Sequence, residues 1–322
     1  MTDRPLDPVA TLAAALTQGD RRALARAITL VESQRPQDQA HADALLAALH
    51  ARTGQAVRVG ISGAPGVGKS TFVDALGTWL TARGHRVAAL AIDPSSARSG
   101  GSILGDKTRM HRLARDPNAF VRPSPGGGVL GGVAARTREA IALCEATGFD
   151  VVLVETIGVG QSEVAAAGMV DFLLLLALPG AGDELQGIKR GITELADAVF
   201  VNKADGDRRA LAEQARGDFE QALALLRGHE AVPVLIGSAL ADDGMAEVWA
   251  AVEAQRARLG PAGLRQRRET QAQAWFEEAV SRLLVERFLA DPENAARWQD
   301  LRARAERGEA SPPSLARRLL DD

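Results

Sequence analysis

Nine consecutive residues, Gly63-Ala64-Pro65-Gly66-Val67-Gly68-Lys69-Ser70-Thr71, limit what this chain can fold into more than any other feature. They match G-x-x-x-x-G-K-[ST], which works only between a strand and a helix. Both are at hand: an apolar run, Val57–Ser62, precedes the motif, and a helical pattern, Thr71–Ala82, follows it. The glycines let backbone N–H groups turn inward around phosphates, and the helix N-terminus adds its positive end. Lys69 is placed to reach the β- and γ-phosphates and the Ser70 hydroxyl to ligate Mg²⁺. A nucleoside triphosphate is the expected ligand.

Around this motif the sequence alternates short apolar runs with longer helical stretches. The predicted strands are Val57–Ser62, Val87–Ile92, Ala119–Arg122, Val151–Glu155, Asp171–Leu178, Ala198–Asn202 and Val232–Ile236. Several are apolar throughout, as strands covered on both faces of a parallel sheet must be. Helical patterns such as Val133–Thr147 supply crossovers, so the fold class is a doubly wound, mostly parallel α/β sheet. Residues 1–55 read as a helical N-terminal segment, with Leu24, Ala27, Ile28 and Val31 in helical period after a capping Asp20, and Gly54 closing a second helix. Residues 56–242 form the nucleotide domain, and residues 243–322 a helical C-terminal arm interrupted near Pro261, Pro292 and Pro312. An apolar stripe there (Trp275, Phe276, Ala279, Val280, Leu283, Leu284) is expected to pack on the parent domain or on a second copy.

Asn202-Lys203-Ala204-Asp205, about 130 residues beyond the first motif and at a strand end, has the N-K-x-D form that reads guanine. A carboxylate at Asp205 accepts from both the ring N1–H and the exocyclic amine of guanine. Adenine leaves it unpaired, and two charge-assisted bonds of roughly 1.5–3 kcal/mol each discriminate strongly. Ser238-Ala239-Leu240, after the next strand, fits a second base-contacting loop.

Asp93 and Glu155 stand at strand ends, on the carboxyl edge where open α/β sheets bind ligands, and either suits Mg²⁺. Glu155-Thr156-Ile157-Gly158 reads as a switch segment with Glu in place of the usual Asp. No glutamine follows Gly158 to orient a water, so slow intrinsic hydrolysis is expected. The Gly-rich stretch from Asp93 to Arg109 holds Asp106 and Lys107, candidates for the γ-phosphate and metal environment. A second loop, Pro179–Lys189, carries Asp183, Gln186 and Lys189. Of 38 cationic residues only Lys69, Lys107, Lys189 and Lys203 are lysines, so these mark places where a compact ammonium is needed.

Composition excludes several classes. A net charge of -3 with 4% aromatics and no tyrosine gives no footprint for nucleic acid. One cysteine, Cys144, expected in the core, rules out a disulfide framework or a Cys-rich metal site, and the five histidines lack ligand spacing. The longest apolar run, Phe172–Leu178, cannot cross a membrane, and with no apolar leader visible a cytoplasmic location is expected.

Taken together, GAPGVGKST, DPSS with GGSILGDKTRM, VETIGVGQSE, PGAGDELQGIK and NKAD resemble the MeaB/ArgK GTPases, relatives of the methylmalonic aciduria type A protein. The resemblance spans roughly residues 10–320. It implies a homodimeric GTPase, with GTP/GDP and Mg²⁺ as cofactors and the C-terminal helices as dimer arm. Its partner would be an adenosylcobalamin-dependent acyl-CoA mutase, typically methylmalonyl-CoA mutase, whose cofactor delivery it gates and which it protects. Whether an adenosyltransferase joins is left open. By resemblance Lys69, Asp106 and Glu155 serve hydrolysis, and Ser70, Asp93, Asp106 and Glu155 surround the metal. Residues 63–71, Asn202, Lys203, Asp205, Ser238, Ala239 and Leu240 bind nucleotide, while Lys107, Asp183, Gln186 and Lys189 belong to partner-responsive switches. Two other readings stay open: a metal-insertion GTPase, against which the single cysteine argues, and an ATP-dependent kinase, against which Asp205 argues.

Overall fold

The apolar runs become seven strands in a computed structural model that describes residues 8–92, 110–122, 130–156, 161–180, 195–227 and 232–321. They are β1 (Val57–Gly63), β2 (Val87–Ile92), β3 (Ala119–Arg122), β4 (Val151–Thr156), β5 (Phe172–Ala177), β6 (Ala198–Val201) and β7 (Val234–Ile236). All pair in parallel, in the order β3-β2-β4-β1-β5-β6-β7. The connections leaving the adjacent strands β1 and β5 run in opposite directions. A crevice therefore opens at their carboxyl ends, just where the Gly-rich loop emerges.

Each face of the sheet is buried, which explains the unbroken apolar runs. On one face Val59, Ile61, Leu174, Leu176 and Phe200 meet α4 (Lys69–Thr81) and the first turns of α8 (Met245–Leu289). Phe72 of α4 and Phe200 pack at a tilt, with ring centroids 5.0 Å apart and planes at 57°. On the other face, Leu175, Val199 and Val201 pack with Phe219 and Leu223 of α7 (Arg209–Arg227). The rest of that face joins Ala88, Leu90, Val152 and Val154 to α5 (Leu130–Ala146), α6 (Gln161–Ala167) and the N-terminal helices.

Those helices are α1 (Pro8–Thr17), α2 (Arg21–Glu32) and α3 (Pro36–Leu49). Asp20 caps α2 as expected, accepting from the N–H groups of Arg22 at 2.7 Å and Ala23 at 3.1 Å. Leu24, Ala27, Ile28 and Val31 are buried in the period the sequence shows. Burial of a leucine or isoleucine is worth about 1.5–3 kcal/mol each, so this stripe fixes the segment in the core cluster it shares with α5. Helix α3 tightens into a 3-10 turn over His50–Arg52 before Gly54.

An ion network closes the amino-terminal edge of the sheet. Arg58 bonds Glu145 at 2.8 Å, and Arg268 bonds Asp171 at 2.8 Å and the Ala56 carbonyl at 2.7 Å. Both carboxylate side chains are fully buried, and pairing offsets their desolvation. Asp171 also accepts the Arg58 N–H at 3.0 Å, so it acts as an anchor and β5 begins one residue after the predicted start.

The chain divides into two compact units, Met1–Arg268 and Glu269–Asp322. Helix α8 is interrupted at Gly260 (φ 61, ψ 178), immediately before the Pro261 that the sequence marks as a break. In the second unit α9 (Pro292–Glu306) starts on the Asp291 cap, and α10 (Pro312–Asp321) buries Leu315 and Leu319. Phe276, Leu283 and Leu284 of the apolar stripe are exposed. No described helix is long and apolar enough to cross a membrane.

Candidate functional site

The Gly-rich loop runs from the end of β1 to the start of α4, in the crevice beside β5. Gly63 (φ 150) needs its missing side chain: a Cβ there would lie 2.5 Å from the Leu176 carbonyl oxygen. Gly68 caps α4 with φ 100, and its Cβ would sit 2.8 Å from the Asn202 amide nitrogen. Only glycine lets the two segments approach this closely without strain. The Val67 N–H closes a turn onto the Ala64 carbonyl at 3.2 Å, and the first i→i−4 bond of α4 runs from Phe72 to Gly68 at 2.9 Å. The N–H groups of Lys69, Ser70 and Thr71 therefore lie at the positive end of the helix.

Lys69, 8% exposed, folds its ammonium onto the carbonyls of Gly63 (2.7 Å) and Ala64 (3.1 Å). The Ser70 hydroxyl donates to Glu155 Oε1 at 2.8 Å across the buried junction of α4 and β4. Glu155 lies within β4, beside Ile61 of β1 and Ala91 of β2, with 4% exposure. Thr156, the last residue of β4, donates to the Ser62 hydroxyl at 2.9 Å. Ser70 and Glu155, which the sequence assigns to one metal environment, thus meet. They offer hard oxygen donors, the type Mg²⁺ takes while keeping most of its waters, so these residues fit that ion.

The second motif meets the first directly. Asn202, 2% exposed, donates to the Val67 carbonyl at 2.8 Å and accepts the Ala239 N–H at 2.9 Å. Lys203, in a left-handed conformation (φ 60), reaches the Gly66 carbonyl at 2.7 Å. Ser238 donates to Asp205 Oδ1 at 2.7 Å, and this bond, with one from the backbone N–H of Asp205, holds that exposed carboxyl below its usual range. Leu240 is 81% exposed at the rim. Asp93, Asp106, Lys107, Asp183, Gln186 and Lys189 lie outside the described residues, as do Ile157 and Gly158.

One cluster beside the site escapes the sequence. Asp74, 3% exposed, bonds both Arg112 and the Leu113 N–H, and Arg112 bonds Asp242. The available signal is an acid amid Phe72, Val73, Ala75 and Leu76, a charge where a helix is otherwise apolar. Cys144 is fully buried, as expected for a core position.

Residues 24–293 match the family model described as "Methylmalonyl Co-A mutase-associated GTPase MeaB". The chain is 51% identical over 319 residues to the Mycobacterium tuberculosis protein named "Probable GTPase Rv1496", covering 98% of this chain and 95% of that one. It is 45% identical to the mouse protein named "Methylmalonic aciduria type A homolog, mitochondrial", over 91% of this chain and 74% of that one. Among solved structures, one titled "LAO/AO transport system kinase" superposes with a TM-score of 0.76 at 35% identity, covering 99% of both chains. With a parallel sheet, a P-loop at its switch point and an N-K-x-D segment braced against that loop, this chain belongs to the MeaB family of P-loop GTPases, relatives of the methylmalonic aciduria type A protein.

Proposed function

We propose that this GTPase is a GTP-dependent chaperone of an adenosylcobalamin-dependent acyl-CoA mutase, most simply methylmalonyl-CoA mutase, acting in the cytoplasm as a homodimer. The observation that carries its guanine preference is the bond from Ser238 to Asp205 beside the Asn202 brace. It aims a carboxylate, held ionised, from the base end of a site whose phosphate end is the loop of residues 63–71. The mutase partnership is supported by the family's description and by the name of the mouse relative. The exposed Phe276, Leu283 and Leu284 support the dimer, since a stripe of this kind is covered when two copies meet.

In this reading the P-loop amides and Lys69 hold the phosphates. Ser70 and Glu155 take Mg²⁺ with Asp93 and Asp106. Asn202, Lys203, Asp205, Ser238, Ala239 and Leu240 surround the base. Bound GTP with Mg²⁺ supplies a γ-phosphate whose charge can order nearby loops and whose loss releases them. Lys107, Asp183, Gln186 and Lys189 lie in the segments that would respond. Lys69 and Ser70 already have protein partners for their polar atoms, so ligand binding exchanges these bonds rather than creating groups from solvent. With no glutamine after Gly158, turnover is slow until a partner completes the site.

Phosphate release from GTP and ATP, with and without the organism's own cobalamin-dependent mutase, tests this. GTP-selective turnover that rises with mutase supports it. Selective turnover indifferent to mutase removes the chaperone role, and equal use of ATP removes the guanine reading.

A further inference from the structure

The ion cluster beside the site ties the P-loop helix to the turn that follows β7. Asp74, in the second turn of α4, accepts from Arg112 Nε and from the Leu113 N–H, both at 2.8 Å. The two terminal nitrogens of the same guanidinium each donate to one carboxylate oxygen of Asp242, again at 2.8 Å. Both carboxylates favour the charged guanidinium and raise its pKa. Asp242 is left-handed (φ 56, ψ 24) and ends the short 3-10 turn Ala239–Ala241. That turn is closed on itself: the Asp243 N–H donates to the Ser238 carbonyl at 3.0 Å, and the Ser238 N–H returns to the Asp243 carbonyl at 3.2 Å. Ser238, which caps the turn, holds Asp205, and Ala239, its first residue, holds Asn202.

We propose that Arg112 is a positioning residue for guanine recognition: by clamping Asp242 to Asp74 it fixes the 238–242 turn, and through Ser238 it fixes Asp205. The proposal rests on the guanine reading given above and adds a residue to it. The geometry favours this role over a merely stabilising one. A planar fork engaged at both oxygens sets direction as well as distance. The far anchor, Asp74, is buried in the same helix that begins at the phosphate loop, so the clamp references the base end of the site to its phosphate end. Leu113 packs so closely on α4 that a Cβ on Gly77 would come within 2.6 Å of it, and the Arg112 backbone therefore has little freedom.

Dissociation of fluorescent GDP and the affinities of GDP and IDP, measured on the full chain, test the clamp. IDP lacks the exocyclic amine that Asp205 receives. Arg112→Gln and Asp242→Asn are each expected to release GDP about three- to tenfold faster, in keeping with a bidentate pair 36% and 49% exposed. Each is expected to narrow the GDP-to-IDP preference, and the double variant should be no worse than the poorer single, because both remove one interaction. Asparagine tolerates the left-handed region, so Asp242→Asn keeps the backbone even if Arg112→Gln weakens α4. Lower stability in urea with an unchanged GDP-to-IDP ratio would make Arg112 structural only and overturn the proposal. A wild-type protein that binds ADP as well as GDP would instead sink the guanine reading itself.

Discussion

Asn202→Ala removes the brace between the phosphate loop and the turn after β7. The side chain makes two buried neutral hydrogen bonds, 2.8 Å to the Val67 carbonyl and 2.9 Å from the Ala239 N–H. Truncation leaves both backbone groups without that partner. Each stranded group costs about 1–3 kcal/mol, so the sum is about 2–6 kcal/mol. A water entering the space could bridge the same two groups and recover part of this, which favours the lower half of the range. Even so, the loss is large against a net stability of about 5–15 kcal/mol for a typical domain. The neighbouring bond offers an internal control. Lys203 reaches the Gly66 carbonyl at 2.7 Å, joining its own segment to the same phosphate loop, but at an exposed position. Lys203→Ala should therefore cost within about 0.5 kcal/mol of nothing in the nucleotide-free protein. Urea unfolding of the two variants, followed by circular dichroism, measures the difference. With two compact units in the chain, the quantity compared is the midpoint of the transition that the Asn202 variant shifts. Equal midpoints for the two variants would refute the argument that burial decides the strength of this brace.

Other perturbations have equally definite outcomes. Ser70→Ala, which removes the hydroxyl bonded to Glu155, should weaken Mg²⁺-dependent GTP binding by at least about tenfold while leaving Mg²⁺-free GDP binding near wild type, read by calorimetry with and without chelator. Because Asp205 is held below its usual range, its contribution persists as pH falls and disappears only through that depressed value. The preference for GDP over ADP should therefore stay flat from about pH 8 to about pH 5, and a midpoint inside that window would contradict the assignment. Gly68→Ala forces a left-handed alanine whose Cβ meets the Asn202 amide, so nucleotide affinity and unfolding midpoint should fall together, with about 1–2 kcal/mol from backbone strain alone. Burial pushes the Cys144 thiol up, out of reach of neutral pH, so a maleimide should label the protein only after denaturation.

The strands were legible because their signal is local. A run such as Val151–Val154 is apolar at every position, and only a strand covered on both faces accommodates that. The phosphate loop was legible for the opposite reason, since its glycines are demanded by backbone geometry that no side chain can supply. Edges were less so. The sequence starts the P-loop helix at Thr71, yet α4 begins at Lys69, because a left-handed Gly68 can cap it there. The strand predicted from Val232 begins at Val234, where pairing with Val199 starts. Least legible were contacts between residues far apart in the chain. Nothing near Arg112 announces Asp242, which lies 130 residues away. Likewise the partners of Asp171, Arg58 and Arg268, lie 113 residues before it and 97 residues after it. Such pairs depend on the assembled sheet, not on local pattern.

The packing of the first three helices against α5 also sets a clock on the ribosome. Leu24, Ile28 and Val31 are made early, but Val152 and Val154, which complete the same buried cluster, follow roughly 120 residues later. At about 5–20 residues per second, the nascent chain carries that oily helical stripe uncovered for about 6–25 s. During synthesis that stripe therefore waits exposed until the rest of its buried cluster has been made.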